Sequence, residues 1–196
     1  KANSECPRVS KPTITDIKKK KKQAVFNSYV TNIGTPIYTE CGFVYNTSSN
    51  PTIENGIKLV VSTNGGGGNY SLTVSDLVVN TEYYVCAFIT SPIRTFYSEV
   101  TQFVLPPISP IIETLAVTNL TETSEILNGI ISTVGEPAYT ERGFCLSKSS
   151  SSPTIVSSKS MKYVVTGNGT GNYSLELNNL EYNTEYYYRT YSLQSS

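Results

Sequence analysis

The sequence has no histidine and no tryptophan, and it carries little charge. Of its 196 residues, 15 are lysine or arginine and 15 are aspartate or glutamate, so the formal net charge is zero. Without an imidazole, the chain cannot build histidine-based triads, metal sites or general bases. A zero net charge provides no overall attraction to nucleic acid. We therefore expect no catalytic residues, no metal, no cofactor and no nucleic-acid partner, and we predict that the chain is not an enzyme.

Long apolar runs and clustered aspartates are missing as well. No apolar run approaches the roughly 20 residues that a membrane helix requires. Aspartate occurs only at Asp16 and Asp76, which disfavours calcium loops, because these combine several carboxylates within a few residues. The polarity comes instead from serine, threonine, asparagine and tyrosine, which is typical of exposed β-structure.

What the chain does contain is one stretch that occurs twice. The segment Asn-Thr-Glu-Tyr-Tyr at 80–84 returns at 183–187, and each copy follows Gly-Asn-Tyr-Ser-Leu, at 68–72 and 171–175. Repetition at a long fixed spacing indicates a duplicated structural unit. Each unit has the size of a small sandwich domain, about 100 residues.

The repeat sets the expected domain boundaries. We predict an N-terminal leader at residues 1–11, a first domain at 12–105, a proline-rich linker at 106–110 and a second domain at 111–196. The leader shows no periodicity, which is typical of a loosely held terminus. Three prolines within five residues should stiffen the linker.

The second repeat is expected to lack its last strand, because nothing in it corresponds to Thr95–Val104. Two interpretations stay open. The natural protein continues beyond Ser196, or another chain fills the open sheet edge.

Five consecutive lysines, Lys18 to Lys22, stand between two predicted strands. They form either a basic patch for an anionic partner or a solvated turn that blocks edge-to-edge pairing of strands. The matching segment of the second repeat, residues 118–125, has no lysine, which favours the solvated turn.

Short strands separated by turn signals, without helical patterns, indicate β-sandwiches. Leu77 with the segment 80–83, and Leu180 with 183–186, resemble the tyrosine corner of fibronectin type III domains. In that motif the tyrosine hydroxyl bonds back to the turn before its strand. The resemblance gives Tyr83 and Tyr186 this structural role.

A closer resemblance lies in Thr-Glu-Arg-Gly-Phe-Cys at 140–145, Ser-Pro-Thr-Ile at 152–155 and Tyr-Tyr-Tyr-Arg-Thr-Tyr at 186–191. These segments are similar to the fibronectin type III-like repeats of secreted enzymes, adhesins and lipoproteins of Gram-negative gut anaerobes. The resemblance covers about residues 12–196. It implies an all-β fold of two tandem immunoglobulin-like (fibronectin type III-like) β-sandwiches, the second without its last strand. This fold hosts many functions.

Two cysteines stand where the second repeat has arginines. Cys41 aligns with Arg142, and Cys86 aligns with Arg189. In a type III sandwich the strands that hold them are adjacent and antiparallel, so the resemblance implies a Cys41–Cys86 disulfide or a contact pair. The alternative is two independent small residues.

Strand faces alternate, so if Tyr83 points inward its neighbours point outward. An outward row of aromatic and arginine side chains could stack a sugar ring or contact a protein. It could equally serve only to stabilise the sheet. The candidate ligand contacts are Tyr84, Phe88, Tyr187, Arg189 and Tyr191.

Our leading hypothesis is an exported, monomeric, non-catalytic protein of the outer cell surface. Its domains would act as adhesion modules or spacers, and they would bind protein or glycan through sheet edges or outward aromatics. A lipid anchor upstream of Lys1 is an open option. Two alternatives remain: accessory domains cut from a larger secreted glycan-active enzyme, and a pilus-like subunit that accepts a donor strand.

Overall fold

The computed structural model describes residues 5–63 and 65–195. The chain divides between Pro106 and Pro107 into two compact units, which we call unit 1 and unit 2. Both are built from antiparallel strands, and the helical content of the described residues is one 3₁₀ turn at Lys19–Lys21. The prediction of two tandem all-β sandwiches is confirmed. Among the described residues, no helix is long and apolar enough to span a membrane.

The strands of unit 1 form two sheets. They are β1 (Arg8–Val9), β2 (Thr13–Lys18), β3 (Gln23–Asn32), β4 (Glu40–Asn46), β5 (Ile57–Ser62), β6 (Gly68–Val74), β7 (Thr81–Thr90), β8 (Thr95–Tyr97) and β9 (Thr101–Leu105). In one sheet β3 lies at the centre, with β6 on one edge and β1 and β2 in succession on the other. The second sheet runs β5–β4–β7, and β8 and β9 follow each other along the far edge of β7.

The strands of unit 2 repeat this plan with one difference. They are β10 (Ile111–Thr118), β11 (Glu125–Thr133), β12 (Glu141–Ser147), β13 (Met161–Val164), β14 (Gly171–Leu177) and β15 (Tyr187–Leu193). One sheet runs β10–β11–β14 and the other β13–β12–β15. Within the described residues, no strand pairs with the far edge of β15. Residues 107–195 thus contain no counterpart of β8 and β9, as the sequence predicts.

The central strand β3 shows why this sequence folds as a sandwich. Ala24, Phe26, Ser28 and Val30 are buried and alternate with more exposed residues. Successive side chains of a strand point to opposite faces, so one face of β3 enters the core and the other meets solvent. In β11 the same alternation buries Leu127 at the position of Phe26.

The core of unit 1 is aromatic. The ring of Phe26 lies 5.7 Å from those of Phe43 and Tyr45 and 5.8 Å from that of Phe103, all in edge-to-face geometry. Such pairs add roughly 0.5–1.5 kcal/mol each beyond the area they bury. Leu127 cannot make these ring contacts, so unit 2 relies more on aliphatic packing.

The prediction of a loosely held leader at residues 1–11 needs correction. Residues 1–4 lie outside the described residues. From Pro7 onward the expectation of a loosely held tail is wrong, because Pro7 is buried and β1 pairs with β3. The hydroxyls of Ser10 and Ser28 lie 3.0 Å apart and tie the segment to the sheet. The strand β1 is only two residues long, which is too short to show a periodic pattern in the sequence.

The linker boundary also shifts. Ile108 exchanges two backbone hydrogen bonds with Glu136, at 2.9 and 2.8 Å. The side-chain amide of Gln194 donates to the carbonyl oxygen of Ile108 at 2.9 Å. Part of the predicted linker, 106–110, therefore belongs to unit 2, which begins before Ile111.

Candidate functional site

Each unit has a tyrosine corner that leads into an equivalent strand. The hydroxyl of Tyr83 accepts a hydrogen bond from the N–H of Val78 at 2.8 Å. The hydroxyl of Tyr186 accepts one from the N–H of Glu181 at 2.9 Å. Because the corners match, β7 and β15 can be compared residue by residue. The residues with left-handed backbone in the two corners are Asn80 and Asn183.

In unit 1 the far edge of β7 is covered. Ala87 donates its N–H to the hydroxyl of Ser98, and its carbonyl oxygen accepts from the N–H of Ser98, both at 2.9 Å. Farther along, Val85 lies opposite Thr101 in β9. The edge is therefore satisfied by the segment that carries β8 and β9.

Among residues 107–195 of unit 2, no strand pairs with the equivalent edge of β15. The carbonyl oxygen of Leu193 accepts from Thr140 on the β12 side, so the backbone groups of Thr190 and Ser192 face away from β12. The N–H of Thr190 donates to the hydroxyl of Thr114 in β10 at 3.0 Å. The Thr114 hydroxyl therefore accepts the hydrogen bond that the Ser98 hydroxyl accepts in unit 1. Otherwise an edge strand offers its backbone groups to an incoming strand.

A cavity of about 390 Å³ lies beside this edge, and we call it the Arg189 cavity. Arg189, Tyr191 and Ser192 of β15 line it. Cys145 of β12 and Ile155 line it as well. It combines backbone, apolar groups and one cation, which suits a polypeptide segment better than a small polar ligand.

A second cavity of about 490 Å³, the Glu125 cavity, is lined by Glu125, Thr184 and Tyr186. The Glu125 residue is only 8% exposed, and its Oε1 atom has no hydrogen-bond partner among the described residues. Burial raises the pKa of this carboxyl, because a buried charge loses its hydration. The matching residue of unit 1 is Ala24. No group of three or more possible ligands in the described chain is arranged to hold a metal.

The predicted outward aromatic row is wrong at two positions. Phe88 does lie on the outer face, but it is fully buried there, with Ile53 and Val100 packed against its cluster. Tyr191 is 8% exposed and donates its hydroxyl to Glu141 at 2.9 Å. Strand alternation gives the face correctly, but it does not show what covers that face.

The other candidates keep partial exposure. Tyr84 and Tyr187 are half-buried, and each donates its hydroxyl to a glutamate two residues earlier. Arg189 is exposed and lines the cavity named after it, together with Tyr191. The five predicted contacts therefore do not form one aromatic surface in either unit.

The prediction of a Cys41–Cys86 disulfide or contact pair is wrong. All cysteines of the described chain, Cys6 and Cys145 included, are free thiols. Cys41 lies opposite Ile89, and Cys86 lies opposite Val44. The offset between the two cysteines is an odd number of residues, so they point to opposite faces of the sheet. Each is buried separately, and burial raises the pKa of Cys86 to about 12.

Sequence reasoning missed two features. One is Glu125, whose burial depends on the packing around the start of β11. The other is a polar groove of about 580 Å³ in unit 1, lined by Lys11, Asn27, Tyr29 and Asn69. Tyr29 is 48% exposed. The alternation along β3 could have identified it as an outward aromatic.

No known protein family matches the sequence, and no curated protein does. Among solved structures, the chain is similar to a two-domain fibronectin type III segment from chicken tenascin, with 14% identity and a TM-score of 0.40. That match covers 98% of this chain and 91% of the other. It is also similar to the FN1–FN3 domains of chicken CNTN1, with 12% identity, a TM-score of 0.33 and 95% of this chain covered. The chain spans 62% of that structure's length.

Both units are fibronectin type III-like sandwiches. In each, a sheet built around β3 or β11 packs against a sheet in which β4 pairs with β7, or β12 pairs with β15. The tyrosine corner stands before the same strand in both. This strand order agrees with the expectation from the sequence.

Proposed function

We propose that the chain is an exported, non-catalytic adhesion or spacer module of the cell surface, and that the far edge of β15 accepts an extended polypeptide segment, supplied by this protein beyond Ser196 or by a partner. The observation that carries this proposal is the contrast between two equivalent strands. β7 is paired on both sides, whereas β15 pairs with β12 alone within the described residues. Addition of a strand to such an edge supplies main-chain hydrogen bonds as the source of affinity.

The experiment blocks the edge without disturbing the sheet. The probe is a labelled peptide with the sequence of residues 95–105, which covers the equivalent edge in unit 1. Ser192→Pro removes one outward N–H of β15, and Ser192→Ala is the matched control that keeps it. We expect the peptide to bind the unchanged protein and the alanine variant, and to bind the proline variant at least tenfold more weakly. Equal binding by all three would refute the edge contact.

The placement at the cell surface is supported by the resemblance to repeats of bacterial surface proteins. It is tested by labelling intact cells of the source organism with a membrane-impermeant amine reagent. Labelling of the protein without cell lysis supports export. Labelling only after lysis would place the protein inside the cell.

A glycan contact in unit 1 is a second candidate, and the Tyr29 groove favours it. An exposed aromatic ring flanked by amide, hydroxyl and ammonium groups can stack a sugar and bond its hydroxyls. On a glycan array, Tyr29→Ala should abolish any binding of the unchanged protein, whereas Tyr182→Ala, at an exposed tyrosine of unit 2, should not. Hits that persist in Tyr29→Ala would remove this candidate.

A further inference from the structure

The loop between β13 and β14 contains an asparagine followed by a glycine, at Asn168 and Gly169. Asparagine is a chemically labile residue, and a following glycine has no side chain to shield its backbone nitrogen from the asparagine amide. Asn-Gly pairs occur in this chain at 55–56, 64–65, 128–129 and 168–169. Asn64 lies outside the described residues, so the other three pairs can be compared.

The reaction of such a pair begins when the glycine nitrogen, having lost its proton, attacks the side-chain carbonyl carbon of the asparagine. A carbon–nitrogen bond forms, ammonia leaves, and a succinimide ring results. Water then opens the ring at either of its carbonyl groups. The products are aspartate, with the original main chain, and isoaspartate, in which the main chain is longer by a methylene group. The rate therefore depends on how freely the glycine nitrogen and the asparagine side chain can meet.

At the pair 55–56 both reacting groups are held in a turn. The N–H of Gly56 donates to the carbonyl oxygen of Thr52 at 2.9 Å. The Oδ1 atom of Asn55 accepts from the N–H of Thr52 at 2.7 Å. The Nδ2 atom of Asn55 donates to the carbonyl oxygen of Asn50 at 3.4 Å. The attack would require these bonds to break, so the turn protects the pair.

The pair 128–129 lies within a sheet. Gly129 is buried in the central strand β11, where it pairs with Thr114 on one side and Tyr173 on the other. The Nδ2 atom of Asn128 donates to the carbonyl oxygen of Ala116 at 2.9 Å. Rotation of the backbone toward this side chain would break the ladder, so the sheet protects the pair.

The pair 168–169 has neither protection. Asn168 and Gly169 are exposed and lie outside the strands. Among the described residues, no hydrogen bond involves the side chain of Asn168 or the N–H of Gly169. A Cβ atom at Gly169 would meet no heavy atom within 4 Å beyond its neighbours in the chain, so the space around this residue is open. The two reacting groups are therefore free to meet.

The carbonyl oxygen of Gly169 also holds a core residue. It accepts a hydrogen bond from the hydroxyl of Tyr139 at 2.8 Å, and Tyr139 is only 7% exposed in the core of unit 2. A methylene group inserted into the main chain at Asn168 displaces this carbonyl oxygen from Tyr139. A hydroxyl that loses its hydrogen-bond partner in the protein interior destabilises the fold.

We propose that Asn168 is a site of spontaneous deamidation to aspartate and isoaspartate, and that the isoaspartate form weakens the contact between Tyr139 and the loop. The reaction consumes water and releases ammonia, and it turns a neutral amide into a carboxylate. It requires no partner and is independent of the proposed function.

The test incubates the protein at mildly alkaline pH, which favours loss of the glycine proton. The matched variant Asn168→Gln keeps the amide, but its longer side chain would have to form a larger ring, which is slower. Asn168→Asp carries the new charge on the original main chain. Peptide mass spectrometry measures the mass gain at each asparagine, and enzymatic methylation of isoaspartate identifies the lengthened product.

We expect Asn168 to deamidate about tenfold faster than Asn55 or Asn128, because each of these must first give up hydrogen bonds. A rate at Asn168 no higher than at the other two would overturn the proposed site. Unit 2 of the incubated protein should unfold at a lower temperature than before incubation. Asn168→Asp and incubated Asn168→Gln should not show this loss. Isoaspartate at Asn168 without any loss of stability in unit 2 would overturn the effect on Tyr139.

Discussion

Units 1 and 2 share one strand plan, but within the described residues they differ in what lies along one edge of the second sheet. The tyrosine corners are alike to within 0.1 Å in their hydrogen bonds, at 2.8 and 2.9 Å. Past the corners, β7 meets β8 and β9, whereas β15 meets the side chain of Thr114. Local sequence sets how the strand begins. Its role in the sheet depends on which segment lies beside it.

The cores of the two units differ as well. Unit 1 encloses a network of aromatic rings around Phe26. In unit 2 the ring of Phe144 lies 5.2 Å from that of Tyr173, among mostly aliphatic neighbours. We therefore expect unit 2 to be the less stable unit. Substitutions at equivalent positions of the two units test this difference.

The largest expected effect comes from the two phenylalanines at equivalent core positions, Phe43 and Phe144, which are both fully buried. Phe43→Ala and Phe144→Ala should each lower the free energy of unfolding of their own unit by about 3–5 kcal/mol. Urea denaturation followed by circular dichroism should show two transitions. A shift of the whole curve by either change would mean that the units do not unfold separately.

Removal of the corner hydroxyl should cost less. Tyr83→Phe leaves the N–H of Val78 without its partner, and Tyr186→Phe does the same to Glu181. Each change should destabilise its unit by about 1–2 kcal/mol in the same urea experiment. A loss confined to one unit would show that the corners, although alike in geometry, are unequal in energy.

Glu125→Ala should stabilise unit 2 at neutral pH by about 1 kcal/mol, because it removes a buried oxygen without a partner. Burial raises the folded-state pKa of Glu125 above its unfolded value. The folded state thus binds more protons between these two pKa values, and the stability of unit 2 falls as the pH rises through that window.

This pH dependence should disappear in Glu125→Ala. The reciprocal change in unit 1, Ala24→Glu, should destabilise that unit and introduce the same pH dependence there. The two profiles come from thermal unfolding between pH 4 and pH 8. A variant whose profile matches that of the unchanged protein would assign the dependence to another group.

A smaller effect is expected from the two asparagines that hold β2 in unit 1 and β10 in unit 2. The side-chain amide of Asn27 donates to Thr13 and Thr15, and that of Asn128 donates to Ala116 and Thr118. These contacts are exposed, so Asn27→Ala and Asn128→Ala should each cost roughly 0.5–1 kcal/mol. A marked asymmetry between the two would break the equivalence of the units.

No effect at all is expected from a reductant. The cysteines of the described chain are free thiols, so reducing agent should leave the unfolding temperature of both units unchanged. Titration of the unfolded protein with a thiol reagent, without prior reduction, should count four thiols. A count of two would restore a disulfide and contradict the register of β4 and β7.

The repeat, the all-β class and the corner motifs were accessible from sequence because each depends on residues close together in the chain. The Cys41–Cys86 pair was not, since it required the register between β4 and β7. A slip of one residue reverses every side chain's face. Phe88 shows the same limit: its outward face was predictable, but Val100, which helps to cover it, comes from a later strand connection.

By itself, the amino-acid sequence determined that one strand pattern occurs twice and that residues 111–196 contain no counterpart of Thr95–Val104. The turn residues and the alternation of apolar side chains act over a few residues, so a reader of the chain can recognise them. Tertiary structure alone decided that Glu125 is buried, with no hydrogen-bond partner for its Oε1 atom among the described residues, and that two cavities lie beside β15. Burial depends on segments distant in the chain, and their approach is set by the packing of two sheets.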